Sequence, residues 1–165
     1  MSDLKKMVLT VKNYDLKASG ELDALYSQVR CEDVKGNTFH FKEVVMLAYL
    51  RKHGAIVTDS PTTWYYKHLA KNSIVLVAFE KQNGKVEYDL DHMKLVAKSS
   101  VLKGIVFTFA AIPAGLIAAT ATYGLGLLII PVGLFYGYRS LFKTPGMLRR
   151  KTLIGDLASH GIVVR

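Results

Sequence analysis

Short alternating runs occupy the first half of the chain, and one long apolar block follows them. Residues 7–12 alternate and predict a strand. Residues 29–33 and 37–41 predict a hairpin turning across Val34, Lys35, Gly36 and Asn37, with Cys31, Phe39 and Phe41 as candidates for its inner face. From residue 41 the period changes. Val44, Val45, Ala48 and Tyr49 fall at helical spacing, Arg51, Lys52 and His53 fill a last turn, and Gly54 offers a C-cap, so a helix is predicted over 41–54. Residues 55–58 read as a short strand. Ser60 as N-cap and Pro61 in the first turn then predict a second helix through Trp64, Tyr65 and Leu69 to about Lys71. Residues 73–79 and 85–90 flank Asn83-Gly84, a strong hairpin signal. The fold class expected for residues 1–95 is therefore α+β with an antiparallel sheet. A small β-barrel, of the oligonucleotide-binding or SH3-like kind, is the main alternative.

Residues 104–138 contain no Asp, Glu, Lys, Arg or His over 35 positions. As one helix this block would extend roughly 50 Å at 1.5 Å per residue, beyond a hydrocarbon core of about 30 Å. Tyr123, Gly124 and Gly126 interrupt it and permit a turn. The expectation is a two-helix transmembrane hairpin over 101–141, with spans at about 102–121 and 125–141. Ala111, Gly115 and Ala119 recur every four residues in the first span. Gly126, Gly133 and Gly137 share one side of the second, and small residues so spaced let backbones approach closely. This helix-packing stripe either joins the two spans to each other or builds a homo-oligomer. Pro113 and Pro131 lie inside the spans, where Thr108 or a neighbouring helix can satisfy the freed backbone.

Charge supports the membrane reading. Residues 1–98 carry 15 Lys and Arg against 12 Asp and Glu, as an ordinary soluble domain does, whereas residues 99–165 carry 7 against Asp156 alone. The excess brackets the apolar block: Lys98 and Lys103 precede it, and Arg139, Lys143, Arg149, Arg150 and Lys151 follow. The turn between the spans is uncharged. Such flanks mark cytoplasmic helix ends, so both termini are expected in the cytoplasm of a cell bounded by this inner (plasma) membrane. Cys31 is the single cysteine, which excludes an internal disulfide, and the N-terminus has no secretory pattern. Residues 142–165 form a basic cytoplasmic tail. Leu50, His53 and Gly54 are echoed there by Leu157, His160 and Gly161, which suggests a tail that packs on the first domain and adds residues 161–165 as a strand.

Catalytic chemistry is not legible. The five histidines are scattered, no second cysteine accompanies Cys31, and neither a metal-ligand spacing nor a cofactor motif is present. Asp89, Asp91 and His92 form the densest titratable cluster and read as a solvated strand end. No serine has the context of a nucleophile. Trp64, Tyr65, Tyr66, Lys67, His68 and Lys71 make an aromatic and basic patch on the second predicted helix, the candidate partner surface. The expected function is a non-enzymatic interaction or regulatory protein, anchored in the bilayer and presenting its cytoplasmic domain to a protein partner. A membrane-perturbing effector that oligomerises through the hairpin, and a membrane-tethered nucleic-acid or nucleotide sensor, are the alternatives. Nucleic acid is disfavoured by the small net charge of the domain.

Overall fold

The computed structural model describes residues 3–164. They form two compact units, Met1–Met93 with Arg150–Arg165, and Lys94–Arg149.

In the first unit, strands β1 (Lys5–Ser19), β2 (Asp23–Asp33), β3 (Thr38–Leu47), β4 (Pro61–Ala70) and β5 (Ser73–Glu80) run in the order β3-β2-β1-β4-β5. A parallel pairing of β3 with β5, Val44 opposite Ile74 and Val45 opposite Val75, closes that order into a five-stranded barrel. The short β6 (Val86–Tyr88) extends it from β5. Closure removes the exposed edges that an open sheet of this size would present. Leu9, Val11, Val29, Cys31, Val44, Met46, Trp64 and Leu76 are among the residues buried to 1% exposure or less. Trp64 Nε1 donates to Ala55 O at 2.9 Å, so the indole is both packed and satisfied.

Both predicted hairpins are present, and they share one loop. Asp33 N donates to Asn37 O and Gly36 N to Asp33 O, while Lys81 N donates to Lys85 O and Gly84 N to Lys81 O. Gly36 at φ +82° and Gly84 at φ +77° take the left-handed position that such a three-residue loop requires.

The two predicted helices of this domain are corrected. Residues 41–47 continue β3, and helix α1 is only Ala48–Lys52. Residues 61–70 are β4. Trp64, Tyr65, Tyr66 and Lys67 are consecutive and all buried, because β4 is covered on both faces. Trp64 and Tyr66 turn one way, whereas Tyr65 and Lys67 turn toward helix α5 (Arg150–Ser159), meeting His160 and Asp156 respectively. A strand buried on both sides loses its alternation, and with Ser60-Pro61 ahead of it the run imitates a helix start. Residues 55–58 make one bridge, Thr58 to Val11, in place of the expected strand. Residues 161–164 are irregular, so the expected terminal strand is absent as far as the chain is described.

The echo between residues 50–57 and 157–164 has a local cause. Ala55 N donates to Leu50 O and Gly54 N to Arg51 O; likewise Ile162 N donates to Leu157 O and Gly161 N to Ala158 O. Each segment is a Schellman cap, with glycine at φ +86° and +77° and a buried leucine three residues from the helix end.

Along the apolar part of the chain, α2 (Leu90–Ala121) is followed by a 3-10 turn (Leu125–Leu128), α3 (Ile129–Tyr138), a π-helical turn (Arg139–Lys143) and α4 (Thr144–Met147). The helix thus begins well before the expected residue 102. Asp89 starts it: its carboxylate accepts from His92 N at 3.1 Å and from His92 Nδ1 at 2.6 Å. The acidic cluster expected at a strand end is a helix N-cap. Pro131 falls in the first turn of α3, where no backbone donor is lost. Thr108 Oγ1 donates to Gly104 O, not to the carbonyl that Pro113 leaves open.

Candidate functional site

The stretches Leu90–Ala121 and Leu125–Met147 are long and apolar enough to cross a membrane. Their exposed surface is the chemically informative feature. Phe109 and Ile117 are each 72% exposed, Leu125 71% and Phe135 65%, and little of either helix is covered by protein. Isolated exposed apolar residues are ordinary, but a contiguous surface of this kind needs a cover.

The six small residues singled out from sequence are the exception to that exposure. A Cβ at Gly133 would collide with Ala111, one at Gly126 with the backbone of Ala119, and one at Gly115 would lie 2.6 Å from Ile130 Cγ1. Gly137 faces Thr108 in the same way. These pairs run in opposite directions along the two helices, so Ala111, Gly115, Ala119, Gly126, Gly133 and Gly137 form the seam between them. Of the two readings, self-packing is the one the contacts follow. At the turn, Thr122 Oγ1 accepts from Gly126 N at 2.8 Å, Gly124 takes φ +97°, and Tyr123 is fully exposed.

Among the basic flanks, Lys98, Lys143, Arg149 and Lys151 are exposed and Arg139 is half-buried. Arg150 instead pairs with Asp91 at 3.3 Å. The side chain of Lys103 lies outside the described residues.

The predicted aromatic and basic patch does not form as one surface. Trp64 belongs to the core. Tyr65 donates to Glu80 at 3.0 Å and lies beneath Lys6, whose Nζ is 5.4 Å from the ring centroid. Lys67 is 1% exposed and forms an ion pair with Asp156. The rest of the patch, Tyr66, His68 and Lys71, joins residues from distant parts of the chain around a groove of roughly 280 Å3.

This groove follows from the barrel's register. Lys5 stands opposite Tyr66 and Met7 opposite Trp64, on the face of β1 that carries the interior residue Leu9. Residues 39–41 of β3 and the β4–β5 turn at Lys71 and Asn72 complete the wall. The floor is aromatic: the Phe41 and Tyr66 rings meet edge-on at 5.8 Å, and Tyr66 meets His68 at 5.5 Å. Phe39 is half-buried and His40 exposed. Among the described residues no carboxylate lines the groove. The neighbouring lysines on β1 are engaged, Lys6 with Glu80, Lys12 with Glu32 and Asp59, and Lys17 with Glu43, whereas Lys5 and Lys71 join no ion pair among the described residues. Lys5 and His40 were not singled out from the sequence, and Phe39 only as an inner-face residue of the hairpin, because only barrel closure brings β1 and β3 to the end of β4.

Two other titratable sites are internally satisfied. Glu87 accepts from Lys85 at 3.0 Å, Tyr49 Oη at 2.9 Å and Lys81 at 3.2 Å, and these partners hold its carboxyl down at about 2. The hydrogen bond to Glu87 raises Tyr49 in turn. Cys31 is fully buried, which pushes its thiol up to about 12. Among the described residues no group of His, Cys, Asp and Glu could hold a metal ion. Comparisons with family models, curated proteins and solved structures find no match to the chain.

Proposed function

We propose that the chain is a non-enzymatic membrane-anchored interaction protein. Its two apolar helices cross the inner (plasma) membrane as a hairpin, and its barrel meets a protein partner in the cytoplasm. The exposed apolar surface of the helix pair carries this reading. Phe109, Ile117, Leu125 and Phe135 face outward from a seam of small residues, and hydrocarbon is the environment in which that arrangement has no penalty. Lys98 before the first span, Arg139 and Lys143 after the second, and an uncharged turn at Tyr123 and Gly124 favour cytoplasmic ends. Tyr138 and Phe142, in ring contact at 5.3 Å beside Arg139 and Lys143, suit the headgroup boundary. An effector that oligomerises through its small-residue stripe is less well supported, because that stripe packs within the chain.

Cysteine accessibility in intact cells tests crossing and orientation together. With Cys31 replaced by alanine, a membrane-impermeant maleimide is expected to label Leu125→Cys from outside and Ser159→Cys only after lysis. Labelling of Ser159→Cys in intact cells, or of neither site before lysis, contradicts the proposed topology. The partner reading is tested by crosslinking in native membranes, where a defined heteromeric product is expected; recovery of the protomer alone opposes it.

A further inference from the structure

The groove between β1, β3 and the β4–β5 turn has a composition that the anchoring reading does not use. It combines an aromatic floor with two cations, Lys5 and Lys71, and two histidines, His40 and His68, and among the described residues its wall has no acidic side chain. The domain has 12 carboxylates within residues 1–98. Glu80, Glu32, Asp59 and Glu43 pair with Lys6, Lys12 and Lys17, which follow the groove's own lysine along β1. A second groove of roughly 370 Å3, beside His53 and Asn83, makes a contrast, because its one lysine, Lys81, is held by Glu87.

Unneutralised cations beside an aromatic surface recognise a ligand with both a phosphate and a flat ring. Size separates the possible sources. A single strand needs a track of cations along several phosphates, and two lysines in a domain of small net charge do not supply one. The volume, roughly 280 Å3, lies just below the about 300–1,000 Å3 typical of small-ligand pockets, which suits a ligand no larger than one ring and its phosphates. We propose that this groove binds a free nucleotide, with its base against the aromatic floor and its phosphates at Lys5 and Lys71. This rests on the reading of the barrel as the binding part of the protein.

The test is isothermal titration of the full chain in mild detergent with ADP, GDP, CDP and UDP, alongside adenosine, inorganic pyrophosphate and a ten-residue oligothymidylate. At least one nucleotide is expected to bind below the millimolar range, with the corresponding nucleoside and pyrophosphate weaker by roughly tenfold each, since each has only half of the recognised chemistry. Lys5→Ala and Lys71→Ala are each expected to weaken it roughly five- to tenfold without lowering the melting temperature, because both side chains are exposed. Lys35→Ala, in the β2–β3 turn, is the control and leaves binding unchanged. Absence of binding by all four nucleotides, indifference to the Lys5→Ala and Lys71→Ala double variant, or tighter binding of the oligonucleotide than of any nucleotide overturns the proposal. Flotation of the same preparation with vesicles reports on anchoring separately, so a chain that floats but binds no nucleotide fails here alone.

Discussion

A buried ammonium is costly unless a carboxylate reaches it, and Lys67 meets Asp156 from α5 at 1% exposure. Removing Asp156 takes a carboxylate away from a nearly fully buried ammonium, and losing one partner of a buried pair costs about 3–5 kcal/mol. Asp156→Ala is therefore expected to lower the denaturant midpoint more than Lys67→Met does. Trp64, the single tryptophan and fully buried, gives the fluorescence signal. Equal midpoints for Asp156→Ala and the parent would show that this ion pair contributes nothing. Glu87 sets an acid limit of its own. Its folded-state value is depressed from 4.5 to about 2, so its stabilisation is fully present above 4.5 and is lost as the pH falls toward 2. Glu87→Gln should flatten the loss of stability across that window, and an unchanged slope would remove Glu87 from the account. Cys31 should resist maleimide in the folded protein near pH 8 and react once denaturant exposes it; rapid labelling without denaturant would contradict its burial. The Lys67–Asp156 pair was not visible in the sequence, because its partners are distant along the chain, whereas the hairpin pattern already placed Cys31 on an inner face.

Glycine helix caps and strand turns were legible, since they are written in local chemistry, whereas the Asp89 N-cap was read as a strand end. Asn83-Gly84 and the 33–37 turn gave hairpins because glycine alone takes the required left-handed φ without cost. Gly54 ended α1 for the same reason. Strands β3 and β4 were misread where tertiary packing decides. Val44 and Val45 have helical spacing to Ala48, yet their pairing with Ile74 and Val75 holds them extended. In α5, Gly155 is exposed, lies within the helix and has open space around an added Cβ. Gly155→Ala should therefore stabilise the protein by about 1 kcal/mol, and a lowered melting temperature would oppose the helix assignment. Gly133→Leu places a side chain where Ala111 already stands and should separate α2 from α3. Cysteines at Ser100 and Ser140, which meet at 3.3 Å away from the collision, would report this as lost crosslinking, whereas retained crosslinking would contradict the seam.

At the level of the whole molecule, the segregation of charge from the apolar block predicts two bodies of different solvent preference, and the chain divides into two compact units. The sequence did not announce a barrel groove, because its cations and rings come from β1, β3 and β4 and converge only through the parallel closure of β3 on β5. Residues 150–165 return to the unit that the first 93 residues build, so that unit depends on chain from both sides of the apolar helices. The account as a whole depends on what covers Phe109, Ile117, Leu125 and Phe135. Transfer of the purified chain from detergent into vesicles, followed by flotation after an alkaline carbonate wash, measures this directly. The chain should remain with the floated lipid after the wash and aggregate when detergent is removed without lipid. A monodisperse monomer in detergent-free buffer that stays behind when the vesicles float would contradict the account.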